Sequence, residues 1–267
     1  MQGSGQIRRV SKGRLIWYRS DVGEQFWENQ WERHFSLRFY DPYKQGQLGM
    51  YKALFCRFLP KTGRILEAGC GLGQYVVALE ERGYTVDGVD LALESLKKVG
   101  TVNPEVRLYA GAVERLPVAD GCYAGYISLG VVEHRESGPE VYLREAARVL
   151  QDDGIAIFTV PHFNNLRRLV SNTRTSAASV PGVMFYQYGF TREEFTSLLE
   201  DAGFQILFRG GLDVLKGLRD EFPRFKSWFD RRPPSSFRSN LGRVLERIPF
   251  LKSQMGHMLV IVAKKTL

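Results

Sequence analysis

The stretch "RILEAGCGLGQYVVALEERGYTVDGVD", residues 64–90, places Glu67, Gly69, Gly71 and Gly73 at alternating positions and closes on Asp90. An apolar run ends at the glycines and a helical pattern starts after them. Glycine at such a strand-to-helix turn can take positive φ, so the backbone approaches a ligand with no Cβ between. The spacing discriminates between ligands. Dinucleotide loops read GxGxxG and hold a pyrophosphate at the helix N-terminus. Here the third glycine comes one residue early, and a carboxylate beside the loop repels a pyrophosphate. Asp90, seventeen residues past Gly73, stands where an acid accepts hydrogen bonds from ribose hydroxyls. His134 and His162 each follow a later apolar run, and imidazole is the side chain best suited to exchange protons near neutral pH.

Something must hold these groups together. Apolar runs at 64–68, 85–90, 106–112, 125–129, 155–160, 204–208 and 258–263 predict seven strands. Helical patterns such as "GQYVVALEERG", "LALESLKKVG" and "PEVYLREAARVLQ" separate them, with Gly83 and the Gln151–Gly154 turn as stops. Parallel strands need crossovers of this kind. The expected fold is α/β, an open, doubly wound, Rossmann-like seven-stranded sheet with its ligand outside the carboxyl ends of the strands.

The acidic residue followed by GxGxG resembles the first motif of the class I S-adenosylmethionine-dependent methyltransferases, in their small-molecule, type 11-like branch. "AGAVERLPVADGCYAGYISLGVVEH" (110–134) is similar to the family's third and fourth blocks. "LREAARVLQDDGIAIFTVP" is similar to its fifth-strand block, and "GFTREEFTSLLEDAGFQI" to its late helix and sixth strand. The resemblance covers 61 to about 211 and returns at 256–264. It implies a mostly parallel sheet with an antiparallel last strand, S-adenosyl-L-methionine as cofactor, and methyl transfer as the activity. It further implies cofactor contacts from Glu67, Gly69, Gly71, Gly73, Gln74 and Asp90, with Leu91, Val113, Glu114 and Leu129 nearby. The ligand's ammonium suits the carboxylate beside the loop.

Three departures bear on substrate and chemistry. The family's adenine-binding Asp falls at Ala112, so the exocyclic amine needs another acceptor, Glu114 or a backbone carbonyl, while the Val113 N–H reaches a ring nitrogen. A metal-dependent branch carries ExxEH; this chain reads Gly130-Val131-Val132-Glu133-His134, lacks the first glutamate, and is expected to hold no metal. The (D/N)PP(Y/F) tetrad that grips a flipped-out base is missing, which argues against DNA amines as substrates. Transfer of a methyl from a sulfonium needs positioning, water exclusion and, for many acceptors, a base. His134 and His162 are the candidate catalytic residues.

The flanks bear on the acceptor. Residues 1–60 are expected to form a flexible tail over 1–14 and an aromatic helical lid, and 61–267 the core, with a lid insertion at 163–189 and a basic cap at 213–255. Trp27, Trp31, Phe35 and Phe39, four apart, form one helical stripe that either packs on the core or walls the cofactor site. Tyr43, Tyr51, Phe185, Tyr186 and Tyr188 are candidate contacts for a small organic acceptor, apolar or lipid-linked. "LGRVLERIPFLK" (241–252) reads as a basic amphipathic helix, either a cap or a weak contact with an anionic membrane.

Composition sets the outer bounds. With 44% hydrophobic and 25% charged residues the chain is globular. Its apolar runs are too short to span a bilayer, and three scattered cysteines suggest neither a disulfide framework nor a zinc site, so a cytoplasmic protein is expected. The net charge of +8 lies in the flanks: ten Lys/Arg against five Asp/Glu in 1–60, and the same in 213–255. Basic flanks on a near-neutral core suit an acidic partner or simple solubility. An RNA methyltransferase, a non-catalytic cofactor-binding protein and an NAD-dependent oxidoreductase are the alternatives, with nucleic acid the less favoured partner.

Overall fold

The computed structural model describes residues 7–23, 25–174, 182–231 and 241–266, apart from 243 and 246. The chain opens with an antiparallel hairpin, β1 (Ile7–Ser11) and β2 (Arg14–Arg19), closed by Lys12 and Gly13, both at positive φ (49° and 80°). Two consecutive left-handed residues make the turn whose twist matches the flanking strands. Helix α1 (Phe26–His34) and three short 3₁₀ turns lead to α2 (Lys52–Phe58). The core then alternates: β3 (Arg64–Ala68), α3 (Gln74–Glu80), β4 (Thr85–Asp90), α4 (Leu93–Val102), β5 (Arg107–Ala110), β6 (Tyr123–Leu129), α5 (Glu140–Val149) and β7 (Leu150–Pro161). After it come α6 (Asn165–Arg174), β8 (Met184–Gly189), α7 (Arg192–Asp201), β9 (Phe204–Leu212), α8 (Val214–Glu221), α9 (Pro223–Arg231), α10 (Pro249–Met255) and β10 (Met258–Lys265).

Seven strands form one sheet in the order β5-β4-β3-β6-β7-β10-β9, with β10 antiparallel to both neighbours and the pairings from β5 through β7 parallel. The fold class is the one expected. Alternation along the strands builds two cores: Leu66, Phe158, Leu259 and Ile261 pack on one face, Ile65, Ile157, Val260 and Val262 on the other. Strands buried on both faces read as continuous apolar runs, which is why they were visible in the sequence.

The flanks differ from the expectation. Residues 7–14 are not a flexible tail: β2 pairs with β8 as well as β1, giving a second, three-stranded sheet. Leu15, Ile16 and Trp17 are buried in it, which fixes the hairpin to the molecule. The insertion at 163–189 is therefore not only a loop; it supplies α6 and β8, while 175–181 lie outside the described residues. The aromatic stripe is also interrupted. Helix α1 ends at His34, so Phe35 caps it and Phe39 sits on a separate 3₁₀ turn beside Tyr40 and Tyr43.

One amphipathic helix over 241–252 does not form. The chain turns at Arg247 and restarts as α10 with Pro249 in its first turn, where a missing N–H costs no hydrogen bond. Arg243 and Glu246, and all of 232–240, lie outside the described residues. Among the described residues no helix is long and apolar enough to cross a membrane, and no three His, Cys, Asp or Glu side chains group as metal ligands would.

Candidate active site

The glycine turn is shaped by what crowds it. Gly69 and Gly71 take φ of 77° and 56°. A Cβ on Gly69 would fall 2.3 Å from Val131, and one on Gly71 would fall 2.7 Å from the Trp31 ring. The N–H groups of Gly69 and Cys70 donate to the Val89 carbonyl at 2.7 and 2.9 Å, which ties the loop to the end of β4. Asp90 fixes it from the other side: its carboxylate accepts from the Gly71 N–H at 2.7 Å and the Ala92 N–H at 3.0 Å. Burial raises the Asp90 pKa, and those N–H groups oppose the rise.

These strand ends open on a cleft of about 420 Å³. Of the sequence-predicted residues, Gly69, Asp90, Leu91, Val113, Glu114, Leu129, His134 and Tyr186 line it. Glu67, Gly71, Gly73 and Gln74 do not; they form the floor and the turn beneath. Glu67 is buried, its Oε2 has no hydrogen-bond partner, and burial with Asp90 nearby pushes its carboxyl up to about 8. Gln74, at the start of α3, likewise has a buried Oε1 without a partner. Orphaned acceptors at a ligand loop are what a bound donor would satisfy.

The other predicted residues do not line the cleft. His162 faces a separate recess with Arg168 and Arg192, and burial together with Arg192 and Arg167 lowers its pKa to about 3. Tyr43 and Tyr51 pack edge-on against Tyr75 of α3, 5.9 and 5.3 Å between ring centres. Phe185 and Tyr188 pack against each other at a tilt of 55° outside the cleft, and the Tyr188 hydroxyl donates to the Glu136 carbonyl. Tyr186 escapes this face because the β2–β8 register shifts there: Trp17 pairs with Gln187, Tyr18 with Phe185, and Tyr186 is the bulged residue between.

Sequence reasoning passed over several cleft residues. Glu133 was weighed only as half of a metal motif. It is buried, lines the cleft, lacks a partner at Oε2, and is pushed up to about 8 by burial. His134 stands beside it, Nε2 to Oε1 3.9 Å. Its Nδ1 lies 2.8 Å from the Tyr186 carbonyl and so carries the proton, while burial lowers its pKa to about 4. Trp27 and Trp31 stack at 6.1 Å over the cleft, with Trp27 edge-on to His134 at 4.7 Å. These two were not passed over: their four-residue spacing had offered the stripe as either core packing or a wall of the cofactor site. Tyr142, Gln187, His257 and Met258 had none, since each reaches the cleft only through tertiary folding.

Glu28 fastens the helix carrying the tryptophans. Its carboxylate accepts from the Glu94 N–H at 2.9 Å, the Ser95 N–H at 3.2 Å and the Ser95 hydroxyl at 2.9 Å. One side chain thus caps the start of α4 from another element, satisfying donors that helix leaves open.

The lining has a definite electrostatic character. Asp90, Glu114 and Glu133 supply carboxyl groups, Trp27, Trp31, Tyr142 and Tyr186 supply rings, and among the described residues neither Lys nor Arg lines the cleft. Acids and aromatic faces suit a cation and oppose a pyrophosphate. A nucleoside bearing a sulfonium and an ammonium, the cofactor that the resemblance implies, fits this donor set.

Comparison with known proteins agrees with the geometry. Residues 66–158 match the family model described as a methyltransferase domain. YqeM of Bacillus subtilis, named as a methyltransferase, is 27% identical over 154 residues, 55% of this chain and 61% of that protein. The malonyl-[acyl-carrier protein] O-methyltransferase of Geobacter sulfurreducens is 29% identical over 153 residues, 54% of this chain and 57% of its own. The chain thus spans about three-fifths of the length of these curated relatives. Among solved structures, an S-adenosylmethionine-dependent methyltransferase of Thermotoga maritima shares the fold, with a TM-score of 0.52 at 20% identity over 89% of this chain and 95% of that one. The sheet order and glycine turn agree with the class I S-adenosylmethionine-dependent methyltransferase fold, and residues 66–158 carry the methyltransferase domain.

Proposed function

We propose that the protein transfers a methyl group from S-adenosylmethionine to a small organic acceptor that enters beside Tyr186. The observation that supports this most is the sign of the cleft: among the described residues, three carboxyl groups and four aromatic rings with no Lys or Arg, at the carboxyl ends of β3, β4 and β6. When bound, the cofactor supplies an electrophilic methyl on a sulfonium, which the acceptor takes while the carbon–sulfur electron pair returns to sulfur.

The remaining chemistry belongs to the chain. Asp90 would hold the ribose hydroxyls of the cofactor, and Glu67 would take its ammonium. Val113 and Glu114 would receive the base, with Glu114 itself held by Arg135 at 3.5 Å. Trp27 and Trp31 exclude water and present ring faces to positive charge. Glu133, whose carboxyl is pushed up by burial to about 8, is protonated at neutral pH and accepts the acceptor's proton at Oε2 only once ionised, so activity rises with pH toward 8; its carboxylate is a far stronger base than His134, lowered to about 4. His134, locked by the Tyr186 carbonyl, positions Glu133 and closes the wall.

The test is to incubate the protein with methyl-tritiated S-adenosylmethionine and, separately, a deproteinised small-molecule extract and purified RNA. Label is expected in the small-molecule fraction. Label confined to RNA would overturn the reading in favour of a nucleic-acid enzyme, and label in neither would favour a non-catalytic cofactor-binding protein.

A further inference from the structure

Beside the cofactor cleft lies a larger chamber of about 800 Å³, walled by the hairpin, β8, α6 and the α8–α9 pair. Tyr186, Gln187 and His257 line both spaces, so the two meet at those side chains. Their electrostatics are opposite. Among the described residues the chamber is lined by six cationic side chains, Arg8, Arg19, Arg167, Lys216, Arg219 and Lys226, against two carboxylates, Asp220 and Glu221.

Those two carboxylates are already engaged. Glu221 accepts from Arg8 at 2.9 Å and from Arg167 at 3.1 Å. Asp220 accepts from Lys216 at 3.1 Å and lies 2.9 Å from His257 Nδ1. Arg167, 1% exposed, also donates to the His162 and His257 carbonyls at 2.8 and 3.0 Å and lies over the Trp17 ring. A purely structural role accounts for that arginine, which ties the hairpin, α6 and α8 together. Lys216 also reaches His257 Nε2 at 2.8 Å and Arg219 lies over the Phe229 ring, yet with Lys226 they converge on the same volume, where six cationic side chains face two carboxylates. Cations gathered in a recess with protein walls repel one another and focus a positive potential, an arrangement that favours an anionic occupant.

We infer that this chamber seats the methyl acceptor and selects one that carries an oxyanion, a carboxylate or a phosphate, gripped by Lys216, Arg219 and Lys226. This deepens the proposed function and rests on it. The acceptor's charged end sits among the cations while its reactive end reaches past Tyr186, Gln187 and His257 into the acidic, aromatic cleft. Separation of sign keeps each ligand in its own place: the cations repel a sulfonium, and the carboxyl groups of the cleft repel the anion.

The experiment is calorimetric titration of the full chain with phenyl phosphate, benzoate, benzyl alcohol and benzylamine, with and without S-adenosylhomocysteine present. The anionic probes are expected to bind at least about tenfold more tightly than the neutral and cationic ones, and more weakly as salt rises. Preference for phenyl phosphate would identify a phosphate acceptor, preference for benzoate a carboxylate. Lys226→Glu, at an exposed position, is expected to weaken anion binding about tenfold and leave S-adenosylhomocysteine binding unchanged. Absent or equal binding of anionic and neutral probes, or an unaltered affinity in Lys226→Glu, would overturn the inference. Failure of S-adenosylhomocysteine to bind would count against the cofactor reading instead, because the anion titration is also run without it.

Discussion

Two aspartates three residues apart on β4 meet different fates. Asp87 is fully buried and consumed by structure: Arg64 and Arg107 pair with it and the Tyr123 hydroxyl donates to it at 3.0 Å. Asp90, on the opposite side of the strand, spends one hydrogen bond per oxygen on backbone N–H groups and turns into the cleft. Its place after the glycine turn made it legible in the sequence, as did the glycines. Glu133 was not legible, because what singles it out is burial, and burial comes from packing. Asp90→Ala is expected to weaken S-adenosylhomocysteine binding by about 1 to 3 kcal/mol through lost charge-assisted bonds to ribose and a loosened Gly71. Unchanged affinity in the folded variant, measured by titration, would remove Asp90 from the site.

At the scale of elements, the core strands announced themselves through apolar runs, whereas the hairpin did not. "IRRVSKGRLIWYR" contains a two-residue turn at Lys12–Gly13, but its basic composition resembled a tail, and its partner β8 lies far along the chain. The pairing that orders it is tertiary. The same holds for α1: the tryptophan spacing showed a helix face, yet only the structure shows Glu28 clamping it to α4. Glu28→Ala is expected to cost about 0.5 to 2 kcal/mol of stability, the range for a lost helix cap. Because α1 carries the wall over the cleft, the variant should also release S-adenosylhomocysteine faster in stopped-flow tryptophan fluorescence. An unaltered release rate together with an unaltered melting temperature would show that the clamp holds nothing.

For the whole molecule, charge is distributed so that burial sets its response to pH. Glu67 and Glu133 are each raised from 4.5 to about 8, so the folded state keeps protons that the unfolded state sheds, and their stabilising contribution is lost as pH rises from 4.5 to 8. His134, His162 and His257 are lowered from 6.5 to about 4, 3 and 4, so their contribution is lost as pH falls below 6.5. Between 4.5 and 6.5 the two sets oppose each other; above 6.5 only the carboxyl groups act. The melting temperature is therefore expected to be lower at pH 8 than at pH 6.5, and Glu133→Gln should flatten that slope. A melting temperature that rises over this interval would contradict the assignment of buried, protonated carboxyls.

All of this depends on a cleft whose acids and rings hold a sulfonium nucleoside, and a direct titration tests that. Isothermal calorimetry of the purified protein with S-adenosylhomocysteine, matched against NADH under the same conditions, is predicted to give saturable heat for the former and none for the latter. Binding of NADH with S-adenosylhomocysteine silent would contradict the account at its centre.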